Sequence, residues 1–269
     1  MAAGIWDGGG TDNKWTTAAN WAGDVAPVAG ADLIFAAGAP QTLNENDFPV
    51  GFDFSAILIA GSNYSLSGNA IDLTGSVTSS GSSNSFAIPV TLGSSGGFSH
   101  TGNGTFTVSS AIENNGYTLN LSATSGITLL SGIISGTGNI TTGGSGTTAL
   151  AAANTYSGTT TVTGGTLAVR HSQALGAATG VAATGTVVTS QSATVQLENG
   201  VSVGNELLSS TAETFGWDLR STGANLTNSW DGNITSASNF EIRPTTNNRL
   251  NLNGTVSTAS SSLYKFDSG

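Results

Sequence analysis

The sequence predicts an all-β protein: a parallel β-helix, or β-solenoid, whose N-terminal end is closed by a Trp-rich cap. Three observations lead there. Short stretches alternate apolar and polar residues with period two, the pattern of strands with one buried face. These stretches recur from about Ala56 to Val256 with no break in composition, each bounded by Gly, Ser or Asn. Trp6, Trp15 and Trp21 crowd into a start that does not repeat.

Composition supports this reading and excludes others. Of 269 residues, 38 are Gly, none is Cys and 8% are charged, with a formal net charge of −10. About half the chain is Gly, Ser, Thr or Asn, well above ordinary usage. Disorder is the obvious rival, but disordered chains combine low hydrophobicity with high charge. Here 38% of residues are hydrophobic and the mean hydropathy is +0.07. Without cysteine there is no disulfide framework, thiolate metal site or cysteine nucleophile. Six Lys and Arg cannot form a nucleic-acid-binding stripe, so no nucleic-acid partner is expected. No apolar run is long enough for a membrane span, and Met1-Ala2-Ala3-Gly4-Ile5-Trp6 shows neither the basic start nor the apolar stretch of a signal peptide. The one helical candidate, Thr16 to Ala22, is too short for a stable helix.

The elements follow in order. Residues 1–55 read as cap and first strands. An exposed solenoid end leaves unpaired backbone and apolar core, so it needs a cap or a partner. Residues 56–269 read as solenoid rungs, continuous with the cap as one domain. The strands expected there include Tyr64–Ser67, Ala70–Thr74, Phe86–Leu92, Thr105–Val108, Tyr117–Leu121, Ile127–Leu129, Thr160–Val162, Thr166–Val169 and Thr194–Leu197. Gly and Asn between them tolerate positive φ and suit sharp corners. The units read as two-stranded, each coil touching only its neighbours. Leu130-Ser-Gly132-Ile-Ile134-Ser135 resembles Leu252-Asn-Gly254-Thr-Val256-Ser257, and Ile140–Gly146 aligns loosely with Leu263–Gly269. On that alignment the sequence stops just before another strand. The expectation is an open rung, and head-to-tail contacts that do not close produce a homopolymer or filament. The alternative is a fragment of a longer chain.

Asn154-Thr-Tyr156-Ser-Gly158-Thr-Thr-Thr-Val162-Thr-Gly164-Gly165-Thr166-Leu167-Ala-Val169, continuing to Ala174-Leu175-Gly176, resembles the autotransporter-associated β-strand repeat, also called the passenger-associated transport repeat. The opening segment, Trp6–Gly10 through Asn20-Trp21, Gly23–Pro27 and Asp32–Phe35, is similar to the start of large bacterial surface proteins that carry this repeat. Leu197–Val201 and Ser229–Thr235 fit the pattern between repeats. The resemblance implies a right-handed parallel β-helix, extracellular or at the bacterial surface. It also implies that the repeat is structural and export-assisting, with no catalytic residues to transfer. The chain departs from the family in length and in lacking the amphipathic terminus of a membrane β-barrel.

Candidate chemistry is sparse. Gly93-Ser94-Ser95-Gly96-Gly97 matches G-x-S-x-G, but the nucleophile elbow needs a helix after it and Phe98-Ser-His100 reads as a strand. His100 and His171 have no partner at metal-ligand spacing and read as surface histidines. Acidic pairs suited to polysaccharide cleavage would be Asp7/Asp12, Glu45/Asp47 or Glu206/Glu213, none of them on an alternating strand. Calcium is the best-fitting metal, with Asp7, Asp12, Asp24 and Asp32 as candidates. However, Gly8–Asp12 lacks the tandem spacing of calcium-binding solenoid repeats, and the same Asp residues serve equally well as acceptors for loop amides. Trp217 and Trp230 are candidate aromatic platforms for a glycan. The sequence therefore predicts a non-enzymatic extracellular scaffold that self-associates end to end, with an adhesin or glycan-binding module, or a passenger fragment, as the alternative.

Overall fold

Strands pair in parallel, each with the strand one coil before it and one coil after it. The structure, a computed structural model, describes residues 3–211, 217–237, 239–258 and 262–265; the side chains at 217, 218 and 240 are not among the described parts. The coils, about ten in number, form the expected all-β solenoid.

Coils have a third face beyond the two strands the alternation suggests, except where that face lapses. The first face runs from Gly4–Trp6 and Ala31–Phe35 through Ser76–Ser79, Gly96–His100, Leu119–Ala123, Ile140–Gly144, Thr160–Val162 and Thr186–Val188 to Val256–Thr258. The second climbs from Leu43–Asn46 to Leu263–Lys265. The third is short: Ile71–Leu73, Val90–Leu92, Ile112–Glu113 and Ile134–Ser135. It lapses there and resumes as Ser202–Val203, Thr227–Trp230 and Arg249–Leu252. The strand Phe52–Ile59 bends across two faces, pairing Phe52 with Ile71 and Ile57 with Val77. A boundary at residue 55/56 falls inside this strand, so cap and solenoid share it.

Because the inside of every face is the same core, period-two alternation carries round the corners. Phe86–Leu92 reads as one strand by pattern. It is two, Asn84–Phe86 and Val90–Leu92, turned at Ile88-Pro89, with Phe86, Ile88, Val90 and Leu92 all buried. Pro89 has no N–H to place in a ladder and suits the corner; its carbonyl accepts from Ile71. Inward residues stack in register along the axis, as in Val77, Phe98, Leu121 and Thr142, then Val162 and Val188.

Asparagines do two jobs. Asn63, Asn115, Asn199, Asn225 and Asn247 occupy positive-φ turns, as their residue type predicts. Asn84, Asn114, Asn154 and Asn228 are instead buried at inner corners and bridge coils. Asn154 accepts from the Ile134 N–H (2.9 Å) and donates to the Ala174 carbonyl (2.6 Å), each 20 residues away.

The internal self-similarity has a different meaning from the one expected. Leu130 ends a second-face strand and Ile134 starts the third face, whereas Leu252 ends the third face and Val256 starts the first. The two segments are the same kind of corner at different places in the coil. In both, the Gly lies under a neighbouring backbone: a Cβ on Gly132 would meet the Ser110 carbonyl at 1.8 Å, and one on Gly254 the Gly232 carbonyl at 2.0 Å. Asp267, Ser268 and Gly269 lie outside the described residues.

Candidate functional site: a closed end and a polar seam

Two regions stand apart from the repeating coils. At the N-terminal end, residues 13–24 cover the open side of the first coil. The segment around Trp21 runs antiparallel along Gly4–Trp6, with Ala22 N–H on the Ile5 carbonyl and Asp7 N–H on the Asn20 carbonyl. A short 3₁₀ turn, Ala18–Asn20, stands where the abortive helix signal lay. Asn13 and Trp15 bond both ladder groups of Glu45 on the outer edge of Leu43–Asn46.

Inside this cover Trp6, Trp15 and Trp21 are fully buried around Phe35 and Phe54. Trp6 meets Trp21 edge to face at 5.2 Å, and Trp15 meets Phe54 likewise at 5.6 Å. Each indole N–H has an acceptor: Gln41 O, Asn44 Oδ1 and Trp15 O respectively. Buried Asn20 donates to Asp12 and to the Lys14 carbonyl, and accepts from Gly10 N–H. The Asp12 carboxylate takes the Lys14 backbone N–H, the Thr17 hydroxyl and Asn20, which together hold it below the usual carboxylate range.

The second region is where the third face lapses. Thr147 pairs with Thr166, 19 residues on, but Gly165 pairs with Ala193, 28 residues on (193 − 165). No strand lies between Val169 and Thr186. Here the core turns polar. Ile140 on the first face stacks on Thr160, then Thr186, before the column returns to Leu208 and Ile234. Both threonines are fully buried. Thr160 Oγ1 lies 2.6 Å from the Tyr156 hydroxyl, and the Thr186 hydroxyl donates to Glu206 Oε1 at 2.8 Å.

Tyr156, Glu206 and Trp230 are also fully buried, and the Trp230 indole donates to the Glu206 carbonyl at 3.0 Å. Glu206 Oε2 has no partner. Burial outweighs the Thr186 bond and pushes the Glu206 carboxyl up to about 8; burial likewise raises the Tyr156 phenol.

The residues singled out by sequence go to separate places. Asp7 and Asp12 accept loop amides at Gly9 and Lys14, the non-metal role open to them. Asp24 sits in a positive-φ turn and Asp32 points outward from its strand. Among the described residues, no three acidic or imidazole groups gather at one point. Glu45 pairs with Lys14 at 2.6 Å, and Asp47 takes the Thr16 N–H and hydroxyl, so this pair fastens the cap. Glu213 lies outside the described residues. Ser94 donates to the Thr74 carbonyl and is followed by the strand Gly96–His100.

Two expectations are corrected. Trp230 is no glycan platform, because its ring fills the core; period-two alternation from Asn228 places it inward. The Trp217 side chain lies outside the described parts. His100 is not a surface histidine but fully buried, its Nδ1 3.1 Å from the Ser79 carbonyl and its ring 6.1 Å from Phe106. His171 is half-buried in the long loop, where its Nδ1 accepts from Gln173 N–H.

Sequence alone gives the seam threonines and Tyr156 no functional role, although their inward placement is readable. Val162 and Val188 face inward, so period two puts Thr160 and Thr186 inward as well.

Residues 140–169 match the family model described as the passenger-associated-transport-repeat. This span holds two stacked strand pairs, Ile140–Gly144 with Thr147–Leu150 and Thr160–Val162 with Gly165–Val169. It overlaps the Asn154–Gly176 resemblance and starts one strand pair earlier. No curated protein and no solved structure matches the chain.

Proposed function

We propose that this chain is a passenger-type scaffold: a non-enzymatic β-solenoid, secreted or displayed on a bacterial surface, whose work is to hold a long polar surface away from its point of attachment. The observation that carries the proposal is the repeat match lying on two directly stacked strand pairs of an unbroken parallel ladder. A repeat made of stacked strand pairs acts by stacking, because each coil buries its apolar edge only against its neighbours. The surface chemistry agrees. Between Asp72 and Arg170 the sole Asp, Glu, Lys or Arg is Glu113, so several coils present Ser, Thr, Gly and Asn to solvent.

On assembly of copies the proposal departs from the end-to-end filament expected from the sequence. Head-to-tail strand addition needs free ladder groups at both ends, and at the N-terminal end the cap bonds Ile5 and Asp7 on the first face and Glu45 on the second. We therefore propose a scaffold whose copies remain separate while the cap is folded.

Protease shaving of intact producing cells, with antibody detection, tests the location: surface or medium signal is expected, and a signal confined to the cytoplasm overturns it. Sedimentation velocity tests the separate-copy form, which fibres formed by the intact capped chain would overturn.

A further inference from the structure

The seam joins two blocks of coils that differ on the third face. Before it, that face runs from the first half of Phe52–Ile59 to Ile134–Ser135; after it, the face is the separate three-stranded sheet Ser202–Val203, Thr227–Trp230 and Arg249–Leu252. Between them the rung lengthens to take in residues 170–185. At this junction the core holds a carboxyl group that is fully buried, bonded through one oxygen to Thr186 and through the other to nothing. The backbone of the same residue anchors the indole of Trp230 from the next coil. Glu206 thus touches both blocks: through Thr186 the first-face column descending from Ile140, and through Trp230 the new third face.

An ionised carboxylate here would have one bonded oxygen and one bare oxygen shut away from water, a costly arrangement. An uncharged acid leaves only a neutral polar atom unpaired, a much smaller cost. We propose that Glu206, as the neutral carboxylic acid, latches the seam between the two blocks, and that loss of its proton loosens residues 170–208 while the coils on either side stay folded.

The surroundings leave Glu206 as the group that titrates. The strands packed about it, Thr160–Val162, Thr186–Val188, Leu208–Ser210 and Thr227–Trp230, carry no titratable side chain. Tyr156 is the titratable neighbour, and its raised phenol stays protonated through the neutral range. Arg170 is paired with Glu198 at 2.7 Å, and Asp231 is exposed and accepts from Ser202 and Asn253.

The sign follows from linkage. The carboxyl is raised from 4.5 to about 8 while enclosed. The latch is therefore fully set below pH 4.5, weakens as pH rises, and has lost its contribution once pH passes about 8. The opening equilibrium should rise about tenfold per pH unit inside that window.

Hydrogen exchange of the full chain from pH 5 to 8, corrected for the intrinsic pH dependence of exchange, reads this directly. Wild type should lose protection at 186–208 about tenfold per pH unit, while protection over 57–144 stays level. Glu206→Gln, which cannot ionise, should show no slope, and Tyr156→Phe should keep the wild-type slope. An unchanged slope in Glu206→Gln, a flat wild type, or equal loss over 57–144 overturns the latch. If Glu206→Gln fails to fold, infrared spectroscopy of wild type decides instead: a protonated-carboxyl band at pH 6 that disappears by pH 9 is expected, and its absence at pH 6 overturns the proposal.

Discussion

The cap and the seam both interrupt the repeating coil, and they do so by opposite chemistry. The cap brings in large aromatic rings and gives each of their N–H groups an acceptor, then surrounds them with carboxylates at the surface. The seam swaps apolar residues of one inward column for threonines and encloses a carboxyl with one oxygen unpartnered. Closing an end needs burial of the last coil's apolar edge and occupation of its ladder groups, which indoles and a turned-back strand supply. Joining two blocks brings polar side chains into the core, where they bond one another and the Glu206 carbonyl.

The widest expected gap between the two regions comes from the cap. Trp21→Ala removes a fully buried ring that packs against Trp6, Trp15 and Phe35. A loss of about 3–5 kcal/mol is expected in urea denaturation. Sedimentation should also show association once the first-coil ladder is exposed. A stable, monomeric Trp21→Ala would mean that the rings are not what closes the end.

Next comes the corner between the blocks. Asn154→Ala strips the Ile134 N–H and the Ala174 carbonyl of their bridging partner. About 2–3 kcal/mol should be lost, since buried groups left unpaired cost more than the bond itself is worth. Asn115→Ala, in an exposed positive-φ turn, should cost less, about 1 kcal/mol; equal losses would erase the distinction between bridging and turn asparagines.

A gentler probe is acid. Asp12 is held below its ordinary value of 3.8, so the stability it gives the cap is present above that pH and lost as pH falls through the lowered value. The seam moves the other way, tightening as pH falls from about 8 toward 4.5. Exchange protection at 4–22 should therefore drop below pH 4 while protection at 186–208 does not, and Asp12→Asn should abolish the acid response of the cap alone.

The smallest effect belongs to Lys14→Ala. Its pair with Glu45 is more than a third exposed, and no more than about 0.5 kcal/mol should be lost, shrinking further in high salt.

Much of this was legible in the sequence. Alternation in Thr105–Val108, Thr160–Val162 and Ala193–Leu197 is a local property, because any strand with one buried face needs it, and it marked both strand type and inward side. Three tryptophans in a non-repeating start announced a cap, since nothing else in the chain could bury them so early. Strands of the third face such as Ile71–Leu73 were readable, but nothing local to them says that they form a face of their own. Phe86–Leu92 hid its corner because alternation passes through it unchanged. Asn154 and Asn115 look alike in sequence; only the coil above and the coil below decide which one is buried.

The sequence by itself thus determined the strand type and the inward parity, which depend on neighbours one to four residues away, and the presence of a cap, which a cluster of tryptophans within one non-repeating segment announces. The tertiary structure decided what depends on partners about 20 residues away. It buried His100 beside Phe106, and it set the indole of Trp230 on the Glu206 carbonyl. It also set Thr186 against Glu206, 20 residues apart. The reason is the parallel coil itself: every side chain's nearest non-local neighbours belong to the previous and next turns, and the lengths of the intervening corners, which carry little pattern of their own, fix which residues those are.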